Sequence, residues 1–137
     1  MKAFELQLGD WISYLGDPVS VTSLSLNDDE PIGIISPLAN IFILREKDAY
    51  PVQLTTDILT NNGFTQDTIG SGLILHIDNS ENLYVLVNYR YNGECRNVEI
   101  SNNMYNLSCP IKYVHELQHA LRLCGLSELA DKLIIDI

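Results

Sequence analysis

The sequence predicts an α+β fold, with a β-rich N-terminal lobe followed by a mixed segment that closes on a helix. Short apolar runs cut by turn residues fill positions 1–45. Three further apolar runs, joined by NSEN and by Asn92-Gly93, occupy 70–101. Beyond them the apolar spacing changes from two residues to the helical three and four.

WISYL (11–15) is bounded by Gly9-Asp10 and by Gly16-Asp17-Pro18, and reads as a strand. VSVTSLSL (19–26) alternates, with Val19, Val21 and Ser23 on one face. NDDEP (27–31) is a turn, and IGIIS (32–36) and NIFIL (40–44) follow as strands. Strands this short and this closely spaced predict a small, strongly bent barrel or meander. The phrase LGDWISYLGDPVSVTSL looks like the opening of a Src-homology-3-like barrel, an analogy of fold that implies no function.

Tyr50-Pro51 favours extended backbone before the proline. Thr55 or Thr56 suits the cap of a short helix through Asp57, Ile58 and Leu59, ended by Gly63. This helix should bridge a lobe at 1–49 and a second at 50–137. GLILHID, NLYVLVNYRY and CRNVEIS then predict a three-stranded antiparallel meander, with Asn92-Gly93 as a two-residue hairpin turn. Leu83, Val85, Val87, Tyr89 and Tyr91 share one face of the middle strand. A helix over 110–124 should cover that sheet, capped by Ser108 or Cys109, with Pro110 in its first turn and Gly125 at its exit. LSELADKL adds a further turn or two, capped by Ser127.

The chain of 137 residues suits one compact domain or two small lobes, and 46% hydrophobic residues disfavour disorder. No apolar run is long enough to span a bilayer, and Glu5, Gln7 and Asp10 interrupt the opening, so a cytoplasmic protein is expected. Eighteen acidic residues against eight basic ones give a net charge of −10, which disfavours direct nucleic-acid binding. Cys95, Cys109 and Cys124 form an odd set without C-x-x-C. Neither a disulfide framework nor a zinc ribbon is expected, and reduced, buried thiols are.

One motif carries chemistry. His115-Glu116-Leu117-Gln118-His119 spells H-E-x-x-H. On a helix, His115 and His119 lie one turn apart and could share a zinc ion, with Glu116 as general base to a bound water. The helical wheel weighs against this. Tyr113, Val114, Leu117, Ala120, Leu121 and Cys124 form the core arc, leaving His115 and His119 toward solvent beside Lys112 and Arg122. A third ligand is also unclear. The metzincin continuation needs Gly at position 122 and His at 125, where the chain has Arg122 and Gly125. Glu128, Asp131, Asp136, Cys109 and Cys124 are the remaining candidates, and Lys112 departs from the fuller zincin pattern.

Other signals are weaker. His76 is a lone strand histidine, and Cys124 lies on the core face without an orienting carboxylate. The chain has no G-x-S-x-G and no Gly-rich phosphate loop. Tyr84, Tyr89, Tyr91, Tyr105 and Tyr113 lack interleaved basic residues, so packing is expected of them rather than base stacking.

LGDWISYLGDPVSVTSLS, YPVQLTTDILTNNGF and YVHELQHALRLCGL together resemble a group of small uncharacterised proteins of Bacteroides-type gut bacteria and their phages or mobile elements. Val52, Leu54, Thr55, Asp57, Leu59, Gly63 and Phe64 match the sense of the middle segment. Tyr113, Val114, His115, Leu117, Gln118 and Gly125 match the ending. The resemblance covers about half of the chain in three pieces, and no assigned activity comes with it. It implies Asn as the common residue at the position of His119, and often Gln at that of Glu116. H-E-x-x-H is then one variant of an H-x-L-Q-N helix.

The expected function is a non-catalytic interaction module, with an unidentified protein partner or a second copy of itself, no cofactor and no catalytic residue. The alternative is a zinc-dependent hydrolase using His115, Glu116 and His119. A third reading is an acidic DNA mimic that inhibits a nucleic-acid-binding protein.

Overall fold

The computed structural model describes residues 1–2, 5–25, 29–35, 41–68, 70, 72–78, 82–102 and 106–135. The architecture is α+β, with two antiparallel five-stranded sheets and three α-helices among the described residues. The chain divides into two compact units, one of Met1–Val52 joined by Ile135, the other of Gln53–Ile134.

In the first unit, β1 (Trp11–Tyr14), β2 (Asp17–Leu24), β3 (Ile32–Ile35), β4 (Ile41–Leu44) and β5 (Tyr50–Pro51) lie in the order β4-β3-β2-β1-β5. A 3-10 turn at Glu46–Asp48 brings the chain back so that β5 pairs with β1, Ile12 opposite Pro51 and Ser13 opposite Tyr50. Ile12, Val19, Val21, Ile32, Ile34 and Leu44 are its buried core. Ser23 was expected beside Val19 and Val21, but it is exposed. A bulge between Val21 and Ser23 breaks the alternation.

The turn before β1 is organised by a buried carboxylate. The Gln7 amide donates to Asp10 Oδ2 at 2.8 Å, while Gly9 and Asp10 exchange backbone hydrogen bonds with Val21. Gly9 permits this with φ 87. β1 and β2 join through Leu15-Gly16, with φ 52 and 84, the positive pair of a type I′ hairpin turn.

In the second unit, α1 (Thr56–Asn61) is capped as expected, with Thr55 Oγ1 accepting the Ile58 amide. It leaves through Gly63 at φ 91, and the Phe64 amide returns to the Leu59 carbonyl. β6 (Thr65–Gln66), β7 (Leu73–His76), β8 (Tyr84–Tyr89), β9 (Cys95–Ser101) and β10 (Asn106–Pro110) follow in the order β10-β9-β8-β7-β6. The three expected strands are the central ones of this sheet, and β6 and β10 extend its edges. Val85, Val87 and Tyr89 line the buried side of β8. Tyr91 does not share that face, because it stands exposed in the turn.

That turn also differs from expectation. Among its residues only Gly93 has positive φ, at 86. Arg90 and Glu94 close it, with the Arg90 amide donating to the Glu94 carbonyl at 2.7 Å. The result is a three-residue loop with a glycine bulge, not a two-residue type I′ turn.

The closing helix α2 spans Val114–Leu123, shorter than the expected 110–124. Residues 106–110 pair with β9 instead, Cys109 opposite Val98 and Pro110 opposite Asn97. Ser108 and Cys109 are therefore strand residues, and Tyr113 takes the cap position. Pro110 is tolerated because β10 is an edge strand whose end needs no further amide donor. Gly125, φ 76, ends α2 as expected, with the Leu126 amide on the Leu121 carbonyl. α3 (Ser127–Lys132) follows, but Leu126 and not Ser127 is its cap residue. Of the turns expected at 27–31 and 79–82, residues 27–28 and 79–81 lie outside the described residues, as do Tyr105 and Asp136. No helix among the described residues is long and apolar enough to cross a membrane.

Candidate functional site

The H-E-x-x-H segment forms the first turn and a half of α2, which packs on β9 on one side and on α3 on the other. The structure corrects the expected placement of His115. His115 is buried, only 6% exposed, and Gln118 is 1% exposed, although neither belongs to the predicted core arc. The helical period reveals one buried stripe, while α3 folds back to cover a second. Gln118 Nε2 donates to the Ala130 carbonyl of α3 at 3.4 Å. His119 is half-buried.

The rings around the motif form a ladder. The His115 imidazole stacks on Tyr113 with centroids 5.9 Å apart and planes 10° from parallel. His119 meets His115 edge-on, with centroids 5.6 Å apart and planes at 77°. The Lys112 ammonium lies 5.7 Å from the Tyr113 ring centre, within cation–π range. The structure thus brings His115 and His119 together, as the spacing required.

Glu116 has a different assignment. Its Oε1 accepts the backbone N–H groups of Lys112 at 2.9 Å and of Tyr113 at 3.0 Å. Those amides precede the first helical turn, and a carboxylate at the third helical position that reaches back to them is the acidic half of a capping box. The carboxylate is also well placed against the helix dipole. A general base must instead face a metal-bound water. The Glu116 Oε1 faces the chain's own backbone.

The three thiols are free, and burial raises each of them. Cys95 and Cys124 are buried and Cys109 is half-buried, and none is in a disulfide. Burial, and then the nearby Glu116 carboxylate, pushes the Cys95 thiol up from 9.0 to about 11. The same two causes, in the same order, raise Cys109. Cys124 is raised by burial and then by Cys109. Protonated thiols are poor nucleophiles and poor metal ligands. Among the described residues, no group of three or more His, Cys, Asp or Glu side chains is assembled to hold a metal ion.

The remaining sequence candidates stand apart. His76 is exposed at the end of β7, opposite Tyr84 in register. Tyr84 and Tyr89 lie on opposite faces of β8, so the described tyrosines do not form one stacking platform. Tyr89 is committed to architecture, with its hydroxyl donating to the Leu54 carbonyl at 3.1 Å.

Sequence reasoning missed Leu15. This side chain is 82% exposed at the tip of the β1–β2 hairpin, on a backbone with φ 52. A positive φ is costly for a leucine, and Asn or Gly is the usual choice at that turn position. The available signal was Leu-Gly between two apolar runs, where Asn-Gly would be ordinary. Set beside known proteins, the chain matches no protein-family model, no curated protein and no solved structure.

Proposed function

We propose that this chain is a non-catalytic interaction module of a bacterial or mobile-element protein, acting in the cytoplasm on a protein partner or on a second copy of itself. The observation that carries the reading is Leu15. The backbone conformation disfavours a leucine and costs stability, while its large apolar side chain stands in solvent and is available to a partner. Such a residue makes sense where a partner covers it. Tyr91 at the β8–β9 turn is also fully exposed, and aromatic side chains at hairpin tips are efficient anchors for a partner.

Two further observations favour binding over chemistry. The Glu116 carboxylate is engaged by the Lys112 and Tyr113 amides, and burial pushes all three thiols up. The resemblance to small proteins of gut bacteria and their mobile elements supports the proposed origin and brings no activity with it. The strand order β4-β3-β2-β1-β5, with a 3-10 turn before the last strand, supports a barrel-like, Src-homology-3-like reading of the first unit. That likeness concerns fold and not ligand.

The test is native mass spectrometry and cross-linking of the wild type beside Leu15→Asn. Self-association or partner capture that Leu15→Asn weakens at least tenfold supports the reading. A strictly monomeric chain that captures nothing, or capture indifferent to both Leu15 and Tyr91, overturns it.

A further inference from the structure

The sequence contains two Asn-Gly pairs, Asn62-Gly63 and Asn92-Gly93, and the fold treats them oppositely. Asparagine before glycine is prone to cyclise, because glycine places no Cβ in the path of its own nitrogen toward the asparagine Cγ. Asn62 is pinned against this. Its Nδ2 donates to the Ile58 and Ile134 carbonyls and its Oδ1 accepts the Ile134 amide, each at 2.8 Å. The Gly63 amide donates to the Thr60 carbonyl at 3.1 Å, and a Cβ at Gly63 would meet Leu75 Cδ1 at 3.8 Å. Cyclisation there must break all of these bonds together. Asn92 is the contrary case. It sits at the tip of the β8–β9 hairpin, where Tyr91, Asn92, Gly93 and Glu94 are all exposed. Its Oδ1 accepts the Glu94 amide at 3.1 Å, a local bond two residues on. No described residue holds its Nδ2, the group that must leave. A Cβ built on Gly93 meets nothing within 4 Å. The Gly93 amide donates to the Arg90 carbonyl at 2.9 Å, a single bond at an exposed tip that local opening releases.

We propose that Asn92 is a site of spontaneous covalent modification, a deamidation that converts the β8–β9 turn to aspartate and isoaspartate while the fold holds Asn62 unreacted. Solvent base takes the Gly93 amide proton, and the Gly93 nitrogen bonds to Asn92 Cγ. The Cγ–Nδ2 bond breaks and ammonia leaves. Water then opens the five-membered imide at one of its two carbonyl carbons. Opening at Cγ restores the original main chain and leaves an aspartate. Opening at the backbone carbonyl carbon leaves the chain running through the former side chain, as isoaspartate. Either product takes the net charge from −10 to −11. Isoaspartate also lengthens the main chain of the three-residue loop by one methylene, next to the exposed Tyr91. The inference goes beyond the interaction-module reading and does not depend on it.

The experiment ages the full wild-type chain at pH 8 and 37 °C, natively and in parallel in urea. Samples are digested at intervals and mapped by mass spectrometry, with fragmentation that separates aspartate from isoaspartate. In the native chain Asn92 should convert at least tenfold faster than Asn62, with isoaspartate among the products and a rate that rises with pH. In urea the two sites should convert at similar rates, because both are Asn-Gly and only the fold distinguishes them. Native conversion of Asn62 as fast as that of Asn92 overturns the proposal. So does an Asn92 that stays unconverted in the native chain while it reacts in urea, which would mean that the turn protects it. Similar native and unfolded rates at Asn62 would overturn the protective role given to its hydrogen bonds.

Discussion

The side chain of Asn62 bonds both backbone groups of Ile134. Its Nδ2 donates to the Ile134 carbonyl at 2.8 Å and its Oδ1 accepts the Ile134 amide at 2.8 Å. The same Nδ2 donates to Ile58 O at 2.8 Å, so one carboxamide ties the end of α1 to a segment 72 residues later. The pattern copies a rung of antiparallel sheet with a side chain in place of one strand. Asn62→Ala removes all three bonds. It should destabilise the fold by about 1–2 kcal/mol, with urea unfolding as the measurement. Amide exchange at Ile134 should rise sharply in the variant, and an unchanged Ile134 amide would argue that other contacts hold this segment.

Leu15 makes the opposite prediction. Leu15→Asn places a residue that tolerates φ 52 at the first position of the Leu15-Gly16 turn. Stability should rise by about 1 kcal/mol. The exposed apolar surface disappears at the same time, so a gain in melting temperature together with a loss of association separates turn strain from partner binding. A loss of stability in Leu15→Asn would mean that the leucine contributes to the fold itself.

Gly72 is required by a close approach between strands. A Cβ built there would lie 2.8 Å from the Val87 carbonyl oxygen and 2.9 Å from Asn88 Oδ1. The first contact is with backbone, which yields only if β7 and β8 separate. Gly72→Ala should cost about 1–3 kcal/mol, as overpacking usually does. Thermal unfolding checks this, and Gly16→Ala is an instructive contrast. Gly16 has open space but φ 84, so the penalty there is conformational and not steric.

The Cys95 thiol gives the chain an alkaline weakness. Burial and the Glu116 carboxylate raise it from 9.0 to about 11, so the folded state holds this proton more tightly than the unfolded one. Stability is then full below the unfolded value and falls as pH rises through the folded one. By pH 10 the loss from this group alone should be roughly 1 kcal/mol. Denaturant unfolding at pH 8 and pH 10 measures it, and Cys95→Ser should flatten the difference. In the native chain Cys95 should also resist alkylation at pH 8, while the unfolded chain reacts.

What was legible in the sequence had local causes. Thr55 and Gly63 bracket α1, and Gly125 ends α2, because caps act within a few residues of themselves. Alternation disclosed the central strands and the buried side of β8. The start of α2 was not legible, since Pro110 suits a first helical turn as well as the end of an edge strand. Only the pairing of Cys109 with Val98 decides between them, and that is a long-range contact. The burial of Gln118 was hidden for a related reason. Helical period points to one packed face, but α3 adds a second one through the Gln118–Ala130 bond. The motif itself was legible as a pair of neighbouring imidazoles. Its glutamate stayed open to two readings, because H-E-x-x-H and a capping box place the same residue at the same helical position.

Glu116 therefore offers the sharpest test of what this helix is for. As a cap, the carboxylate matters through an oxygen that accepts the Lys112 and Tyr113 amides. Glutamine keeps such an oxygen and loses only the charge, and alanine loses both. Glu116→Ala should cost about 1 kcal/mol and Glu116→Gln a few tenths, because the charge adds a modest helix-dipole contribution to the hydrogen bonds. A general base behaves differently, since glutamine cannot take a proton and is as inactive as alanine. Urea unfolding of both variants, beside peptide hydrolysis by the zinc-loaded wild type, distinguishes the two roles. The graded stability loss without any hydrolysis is the expected result. Equal stability in all three proteins, with cleavage by the wild type alone, would return Glu116 to catalysis.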